Sequence, residues 1–550
     1  MKKINLSIAI MAAGILLTCC NKLDLNPESD LNDNDFWNTE TDLTNACNRL
    51  YETLPGNWID NRGDDNLNQG ANSTSNGTWV IPNTSDEWTN RYKDIRTANN
   101  ILEKGVKAKV TDAVKNRYFG EARFFRAYSY FLLIQKYGDV PLVLRTLDKN
   151  SPELSSARAP RADVMKVIYD DLDFAAAWLP ARASLAATQW GRVMKSTALG
   201  MKARVALYEG TREKFRGEAG WQTHLQAAVD AANQVMTQGH TLFADYTKLF
   251  VHDGEGAANK ENIFVKIYGV SNTNVILGHN FSRDLENGRI AITRNLIRQY
   301  LYTDGLPAFN TDNTPVATPS PLFVPEGSEA SYNNIFDNRD PRLVTAAFKN
   351  GETAYKGPWV PTLTTGSRTG FASKKGFNND DWVINNGGTT DRILMRYAEI
   401  LLILAEAKFE LNGSISDADL NLTVNALRTR AGMAVKLTNA FVTANNLSMR
   451  EEIRRERTVE LALEGFRYDD LIRWKTAETV LPKEILGAKF IATDWPGTVA
   501  SQLKLNSDNV IISEAAATRK FLANRDYLYP VPLNEITTSG DNVSQNPNWQ

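Results

Sequence analysis

The chain has 550 residues, of which 42% are hydrophobic and 23% are charged, and its formal net charge is −2 at pH 7. This composition excludes a disordered chain, a collagen and a disulfide-rich scaffold, and the near-neutral charge argues against a nucleic-acid binder. The length suggests about three to four units of ordinary domain size. Only 4 His and 3 Cys accompany 22 Phe, 18 Tyr and 12 Trp, so there is little material for metal or thiol chemistry and much for cores or flat binding surfaces.

The first 19 residues have the layout of a secretory signal peptide. Two lysines form a basic start, and residues 4–17 are mostly apolar. This stretch is too short to cross a bilayer core of about 30 Å comfortably. It leads into a Leu-Thr-Cys-Cys sequence that resembles a bacterial lipobox, in which cleavage precedes a Cys that is then acylated. We expect Cys20 to carry the lipid, because Leu17 then takes the leucine position, and Cys19 is the alternative.

Residues 20–240 show apolar residues at steps of three and four, the pattern of helices that bury one face. The predicted helices cover residues 43–54, 85–105, 112–137, 163–179, 195–209 and 225–238. Pairs of them recur about every 30 to 45 residues, which is typical of helical-hairpin repeats such as tetratricopeptides. Cys47 lies in the first helix without a neighbouring His, so we predict a small buried side chain rather than a nucleophile.

Residues 250–391 are rich in Gly, Asn, Thr and Pro and contain only short apolar runs. Long irregular segments on a folded protein are more often binding surface than linker. Residues 392–550 return to helical patterns, with predicted helices at 392–412, 418–430 and 448–475. We therefore expect a mainly α-helical protein with a helix-pair scaffold, long irregular loops and a few short strands.

The last of these helices carries a row of carboxylates at every fourth residue. They belong to Glu452, Glu456, Glu460 and Glu464. Aligned carboxylates repel one another unless arginines of the same and adjacent helices neutralise them. Arg396 and Glu399 lie in a nearly all-apolar stretch, so we expect them to pair with each other or to meet a partner helix. A glycosidase needs two carboxyls facing each other about 5 to 9.5 Å apart, so we predict structural ion pairs here rather than catalytic groups.

Several motifs follow one another in a fixed order. They are Gly120-Glu121-Ala122-Arg123-Phe124, Tyr137-Gly138-Asp139-Val140-Pro141-Leu142, Arg339-Asp340-Pro341-Arg342-Leu343, Arg396-Tyr397-Ala398-Glu399 and Tyr529-Pro530-Val531-Pro532-Leu533-Asn534-Glu535-Ile536. The longest is Glu456-Arg457-x-x-Glu460-Leu461-Ala462-x-Glu464-Gly465-x-Arg467-x-x-Asp470-Leu471-x-Arg473-Trp474. Together they resemble the hallmark sequences of the SusD/RagB family of surface nutrient-binding lipoproteins. The resemblance extends over essentially the whole mature chain.

The resemblance implies one ligand-binding body, residues 20–550, with a tetratricopeptide-like scaffold whose loops carry the ligand. Members of the family are not enzymes. They bind oligosaccharides and deliver them into a SusC-like TonB-dependent outer-membrane transporter. We therefore expect a lipid-anchored, surface-exposed outer-membrane protein that serves carbohydrate uptake, with no catalytic residue and no cofactor. None of the four histidines has a His or Cys at ligand spacing, so we expect no zinc site.

The loop at residues 57–88 mixes aromatic and polar side chains densely. Sugars present C–H faces that stack on aromatic rings and hydroxyls that need polar partners. The candidate ligand residues in this loop are Trp79, Asn83, Trp58, Arg62, Asp64 and Asn76. Aromatic candidates for completing the platform from the middle region are Tyr302, Tyr332, Trp359 and Trp382. For each ring the competing interpretation is packing onto the scaffold.

Two other functions remain open. Members of the RagB kind bind peptides, so the alternative hypothesis is that the same architecture binds peptides or glycoprotein fragments in place of glycans. A lipid-anchored hydrolase is the third hypothesis, and it requires a pair of catalytic carboxylates to which the sequence does not point.

Overall fold

The computed structural model describes residues 36–56, 59–269, 278–363 and 366–549. The expected signal peptide, both candidate anchor cysteines and Trp58 lie outside these residues. Helices dominate and the strands are short, which confirms the mainly α-helical fold class. Among the helices in these ranges, none combines the length and the apolarity that a bilayer crossing needs.

The N-terminal part is a series of helices packed on one another. Its elements are α1 (Glu40–Tyr51), β1 (Asn66–Leu67), α2 (Ser73–Asn76), α3 (Asp86–Lys104), α4 (Asp112–Tyr137), α5 (Arg161–Trp178), α6 (Lys195–Arg216) and α7 (Trp221–Met236). Each helix from α3 to α6 packs on the next one in the chain. Their apolar faces form a large core, to which Phe124, Tyr130 and Leu172 belong. Cys47 is fully buried in the same core, as predicted.

Helix α4 shows why the local predictions succeed. The Thr111 hydroxyl accepts a hydrogen bond from the backbone N–H of Val114, which satisfies one of the unpaired donors at the helix start. The helix ends at Gly138, whose φ of 72° is left-handed and favours glycine.

The predicted end of α6 at residue 209 is wrong. A Cβ at Gly210 would lie 2.9 Å from Leu225 Cγ, so this glycine admits close packing of α7 and does not stop the helix.

The middle part consists of short elements joined by long loops. They are β2 (Asn262–Lys266), α8 (Phe281–Glu286), β3 (Ala291–Ile292), α9 (Arg294–Ile297), α10 (Leu343–Ala346), β4 (Thr353–Ala354), β5 (Gly357–Pro358), α11 (Asn379–Val383) and β6 (Arg392–Arg396). The strands pair two by two and antiparallel: β1 with β3, β2 with β6 and β4 with β5. The second pair sets Val265 opposite Ile393 and so brings together the two ends of the loop-rich stretch.

The C-terminal part returns to helices and closes with a strand pair and a short helix. Its elements are α12 (Tyr397–Asn412), α13 (Asp417–Leu422), α14 (Val424–Ala431), α15 (Asn439–Ala444), α16 (Met449–Glu460), α17 (Arg467–Arg473), α18 (Ala477–Val480), β7 (Ile485–Lys489), β8 (Val510–Glu514) and α19 (Leu533–Thr538). Strands β7 and β8 are antiparallel. Helix α12 packs against α7 and α16 and so joins this part to the N-terminal scaffold.

The predicted helices at 392–412 and 448–475 are wrong in their extent. The first five residues of the former are strand β6, because they hydrogen-bond to β2. The latter breaks after Glu460, where Leu463 and Gly465 adopt positive φ values of 64° and 88°. The break turns the Glu464 carboxylate toward Arg396, at 2.7 Å. The helix predicted at 418–430 is likewise divided, at Thr423.

The row of glutamates is buried and paired, which confirms the structural ion-pair interpretation. Glu456 accepts hydrogen bonds from Arg342 at 2.6 Å and from Arg428 at 2.9 Å. Glu460 accepts from Arg396 at 2.6 Å and from Arg342 at 2.9 Å. Such charges tolerate burial only because each has partners of opposite sign and well-placed hydrogen bonds.

Arg396 and Glu399 do not pair with each other, and each meets a partner on another element. Glu399 accepts from the guanidinium of Arg204 on α6, at 2.7 Å. Arg396 donates to Glu261, Glu460 and Glu464. The second of the two expected arrangements is therefore the observed one.

Candidate functional site

The loop that carries the candidate Trp79 is fixed at both ends of its path. Strand β1 attaches it to β3, and the Asn72 side chain caps α2 by accepting from the N–H groups of Thr74 and Ser75. Lys520 donates its backbone N–H to the Asn76 carbonyl at 3.0 Å. The loop is thereby held between the loop-rich part and the C-terminal segment.

Trp79 packs against Tyr529 and Trp549, and these three rings are here called the aromatic cluster. Its ring meets Tyr529 edge-on at 4.4 Å between centroids and Trp549 at 5.6 Å. Trp79 is half-buried, whereas the adjacent Val80 is 81% exposed. The Arg525 guanidinium lies 4.2 Å from the centroid of the Trp549 ring. Trp79 thus packs onto the scaffold with part of its ring and keeps the rest at the surface.

Arg62 links the same cluster to buried carboxylates. Arg62 donates to both carboxylate oxygens of Asp60, at 2.6 to 3.0 Å. It also donates to the Tyr529 hydroxyl at 3.0 Å, and its guanidinium lies 4.5 Å from the centroid of the Tyr468 ring. Burial lowers the pKa of the Arg62 guanidinium, but Asp60 and Asp469 outweigh it and hold this pKa well above its ordinary value. Arg62 is therefore held in its charged form and paired with Asp60, while it contacts the aromatic cluster through the Tyr529 hydroxyl.

Asn83 is exposed at the end of the loop. Its backbone carbonyl accepts from the N–H of Asn534 at 3.0 Å, which fixes the position of its backbone. Asn83 and the free part of the Trp79 ring therefore offer one polar amide and one apolar face on the same loop. This is the combination that hydroxyls and C–H faces of a sugar require.

Asp64 and Asn76 are buried inside the loop. Asp64 is 1% exposed and pairs with Arg467, with Nε to Oδ1 at 2.7 Å and Nη2 to Oδ2 at 3.1 Å. The Asn76 side-chain oxygen accepts from the N–H and the hydroxyl of Thr78. A ligand would have to break these bonds to reach either side chain. The geometry gives both residues a part in holding the loop, and their predicted ligand contact stays a prediction.

Among the middle-region aromatics, Tyr332 and Trp359 lie in a separate core. Tyr302 is buried beneath Arg339, whose guanidinium is 4.5 Å from the ring. Trp359 is buried against Tyr332 at 5.2 Å between ring centroids. Trp382 donates its indole N–H to Glu286 at 2.7 Å. In the part of the chain that the structure describes, none of these rings contacts Trp79, and their expected part in a ligand platform stays a prediction.

The sequence reasoning missed Tyr529, Trp549 and Asp60. In the sequence Tyr529 stands out only as part of a family motif, and Trp549 belongs to no local pattern. The one available signal was the same mixture of aromatic and polar residues that singled out the Trp79 loop. Within the described ranges no group of three or more His, Cys, Asp or Glu side chains is placed to hold a metal ion.

Family models match the chain over most of its length. The SusD family matches residues 260–549, and a second model, described as starch-binding and associating with the outer membrane, matches residues 23–207. The SusD-like protein P2 of Formosa agariphila is 25% identical over 578 aligned positions, which cover 100% of both chains.

Solved structures share the fold. A SusD-like carbohydrate-binding protein from Bacteroides fragilis is 25% identical, with a TM-score of 0.75, and the match covers 92% of this chain and 99% of that one. A laminarin-binding SusD-like protein is 20% identical, with a TM-score of 0.59, over 93% of this chain and 100% of that one. The motifs, the helical scaffold and the family models agree, and the chain belongs to the SusD/RagB family.

Proposed function

We propose that this protein binds oligosaccharides at the outer surface of the outer membrane and passes them to a SusC-like TonB-dependent transporter. The observation that carries the proposal is the half-buried Trp79 ring on a loop that also presents the exposed Asn83. A partly exposed ring offers a stacking face for a sugar, and the neighbouring amide offers hydrogen bonds to its hydroxyls. The family's starch-binding model and the carbohydrate-binding relative support the same ligand class.

In this proposal the chain binds its ligand and catalyses no reaction. The conspicuous carboxylates, Glu456 and Glu460, are buried and neutralised by arginines. A glycosidase would need one of a pair of carboxyls to act as acid and the other as nucleophile or base across an open cleft. Absence of reducing-end release from any bound glycan is the expected result, and turnover would favour the hydrolase hypothesis.

Membrane attachment is proposed to occur through a lipid on Cys20, with Cys19 as the alternative. The support is the lipobox-like sequence together with the family's outer-membrane association. A single acyl chain binds a bilayer only weakly, so stable attachment requires the multiple acyl chains of a bacterial lipoprotein. Mass spectrometry of the N-terminal peptide identifies the acylated cysteine, and an unmodified, uncleaved N-terminus would contradict this part of the proposal.

Substitution of Trp79 by alanine tests the binding site. Removing one stacking ring is expected to weaken glycan binding about two- to tenfold, since aromatic contacts contribute roughly 0.5–1.5 kcal/mol. Isothermal titration of the full chain against a panel of oligosaccharides measures the change. Trp178→Ala is the matched control, because this ring is 41% exposed at the end of α5 and lies outside the aromatic cluster.

Two outcomes contradict the proposal. No binding to any oligosaccharide, together with failure to co-purify with a barrel protein from the outer membrane, removes the glycan-uptake function. Binding of peptides with an affinity that Trp79→Ala leaves unchanged favours the peptide-binding alternative.

A further inference from the structure

A cavity lies between α16, α17 and the loop around Thr311, and no residue of the aromatic cluster lines it. Its volume is about 360 Å³, at the lower end of the range of about 300–1,000 Å³ that small-molecule sites occupy. Its walls include the apolar side chains of Leu471 and Val480 and the side chains of Trp474 and Arg454. The cavity suits one small ligand rather than a chain of sugars.

Arg454 is the unusual residue of this cavity. It is 5% exposed, and its guanidinium lies 4.7 Å from the ring centroids of both Phe215 and Trp474. Its buried Nε and Nη2 atoms have no hydrogen-bond partner. Burial lowers the pKa of Arg454 despite the negative charges of Glu406 and Glu451 nearby. The side chain is thus a desolvated cation held by two aromatic faces and without an ion-pair partner among the described residues.

The neighbouring arginines of α16 show that this arrangement is specific to Arg454. Arg450 pairs with Glu410 at 2.7 Å, and Arg457 pairs with Asp470 at 2.8 Å. A buried charge is costly unless it is paired and hydrogen-bonded. Glu410 of α12 and Asp470 of α17 serve these two arginines, whereas Arg454 is left unpaired beside a cavity, and this points to a partner that comes from outside the chain.

The other charged groups at the cavity wall are already engaged. Arg467 pairs with Asp64, and Asp312 pairs with Lys483 at 2.9 Å. The Glu451 carboxylate accepts a hydrogen bond from the Thr311 hydroxyl. Arg454 is therefore the cation at this wall that is left to receive an anion.

The remaining wall is rich in hydroxyl and amide groups. They belong to Asn310, Thr311, Thr314, Thr476 and Thr479. The hydroxyl oxygens among these groups can accept hydrogen bonds even where their protons are already donated within the protein, so they suit a ligand that carries hydroxyls beside its anionic group. We propose that this cavity binds one small hydroxylated carboxylic acid of the uronic acid class, whose carboxylate pairs with Arg454. The site is separate from the aromatic cluster and does not depend on the glycan-uptake proposal.

Titration of the full chain with D-glucuronate and D-galacturonate tests the inference. D-glucose serves as the probe of the hydroxyls alone, and inorganic phosphate as the probe of the charge alone. At least one uronate is expected to bind at least tenfold more tightly than D-glucose, because hydrogen bonds to a charged group are stronger than neutral ones. It is also expected to bind at least tenfold more tightly than phosphate, which lacks the sugar hydroxyls. Arg454→Met is expected to weaken that binding at least tenfold while thermal stability stays equal or rises, since the variant removes an unpaired buried charge.

Arg450→Met is the matched control, because Arg450 lies on the same helix, is paired with Glu410 and does not line the cavity. It is expected to leave uronate affinity unchanged. If Arg454→Met does not fold, Thr479→Val at the cavity wall takes its place and is expected to weaken uronate binding severalfold. The inference is overturned if neither uronate binds, if glucose or phosphate binds as tightly, or if the variant tested binds the uronate as the original chain does.

Discussion

Two adjacent aspartates in the loop that carries Trp79 occupy contrasting environments. Asp64 is paired with Arg467, whereas the neighbouring Asp65 is buried with one carboxyl oxygen that lacks a hydrogen-bond partner. Burial and the charge of Asp64 raise the pKa of Asp65 to about 7. Asp65 therefore keeps its proton through much of the acidic range.

Asp65→Asn is expected to remove a pH dependence of stability. The folded protein holds the Asp65 proton up to about pH 7, while the unfolded chain releases it near the ordinary value of 3.8. The unfolded state thus binds fewer protons between these values, and the free energy of unfolding falls as pH rises, by at most about 1.4 kcal/mol per pH unit. The difference in free energy of unfolding, variant minus original chain, should therefore rise from pH 5 to pH 7 and change little above pH 7.

Denaturant unfolding at pH 5, 6, 7 and 8 measures this difference. The same exchange at Asp112, whose side chain is 91% exposed, is the control and is expected to keep the original pH dependence. Parallel curves for Asp65→Asn and the original chain would show that Asp65 keeps an ordinary pKa in the folded state.

At the scale of single elements, capping and periodicity determine helices, but strand pairing and positive φ values override them. Residues 392–396 have the apolar content of a helix start and nevertheless form β6, because β2 offers backbone partners. Gly465 permits the turn that follows the early end of the helix predicted at 448–475. Short α2 depends in the same way on Gly77, whose φ of 73° lets the chain turn toward Trp79.

Gly77→Ala is expected to disturb the junction of the loop with the C-terminal segment. A Cβ at this position would lie 2.0 Å from the Lys520 carbonyl oxygen, and the backbone is left-handed. We expect a loss of at least about 1–3 kcal/mol in the free energy of unfolding, from strain and displaced backbone. Glycan binding should weaken as well, because Trp79 would move away from Tyr529.

Denaturant unfolding and oligosaccharide titration are the two readouts. Gly70→Ala is the matched control, since nothing lies within 4 Å of a Cβ there and its φ is not left-handed. Equal stability of the two variants would contradict the tight fit of Gly77 against Lys520.

For the whole molecule, the buried ion pairs join parts of the chain that are distant in sequence. Arg342 of the loop-rich part donates to Glu456 and Glu460 of α16, and Arg396 of β6 donates to Glu261 beside β2. These contacts hold the loop-rich part on the C-terminal helices. Their strength follows from burial, because solvent does not screen them.

Arg342→Met is expected to lower the free energy of unfolding by about 3–5 kcal/mol, because Glu456 and Glu460 would lose a buried partner. Chemical denaturation followed by circular dichroism measures the loss. Lys166→Met, which removes an exposed pair with Asp170 on α5, is the control and should change stability by less than about 0.5 kcal/mol. A similarly small effect of Arg342→Met would mean that the network is not required for stability.

The sequence by itself determined the class of fold, most helix positions and the family. Periodicity and caps act over a few residues, so α3 and α4 could be predicted within a residue at each end. The row of glutamates likewise predicted that arginines would pair with it, because uncompensated buried charge is costly. The contribution of Trp79 as a ligand contact stays a prediction.

Only the tertiary structure decided which distant groups meet. It placed Trp79 against Tyr529 and Trp549, directed Asp64 to Arg467 and left Arg454 unpaired. Such contacts join residues hundreds of positions apart, and no local pattern records them. Whether a polar or aromatic side chain becomes scaffold or surface depends on the elements packed against it, and that packing exists only once the chain has folded.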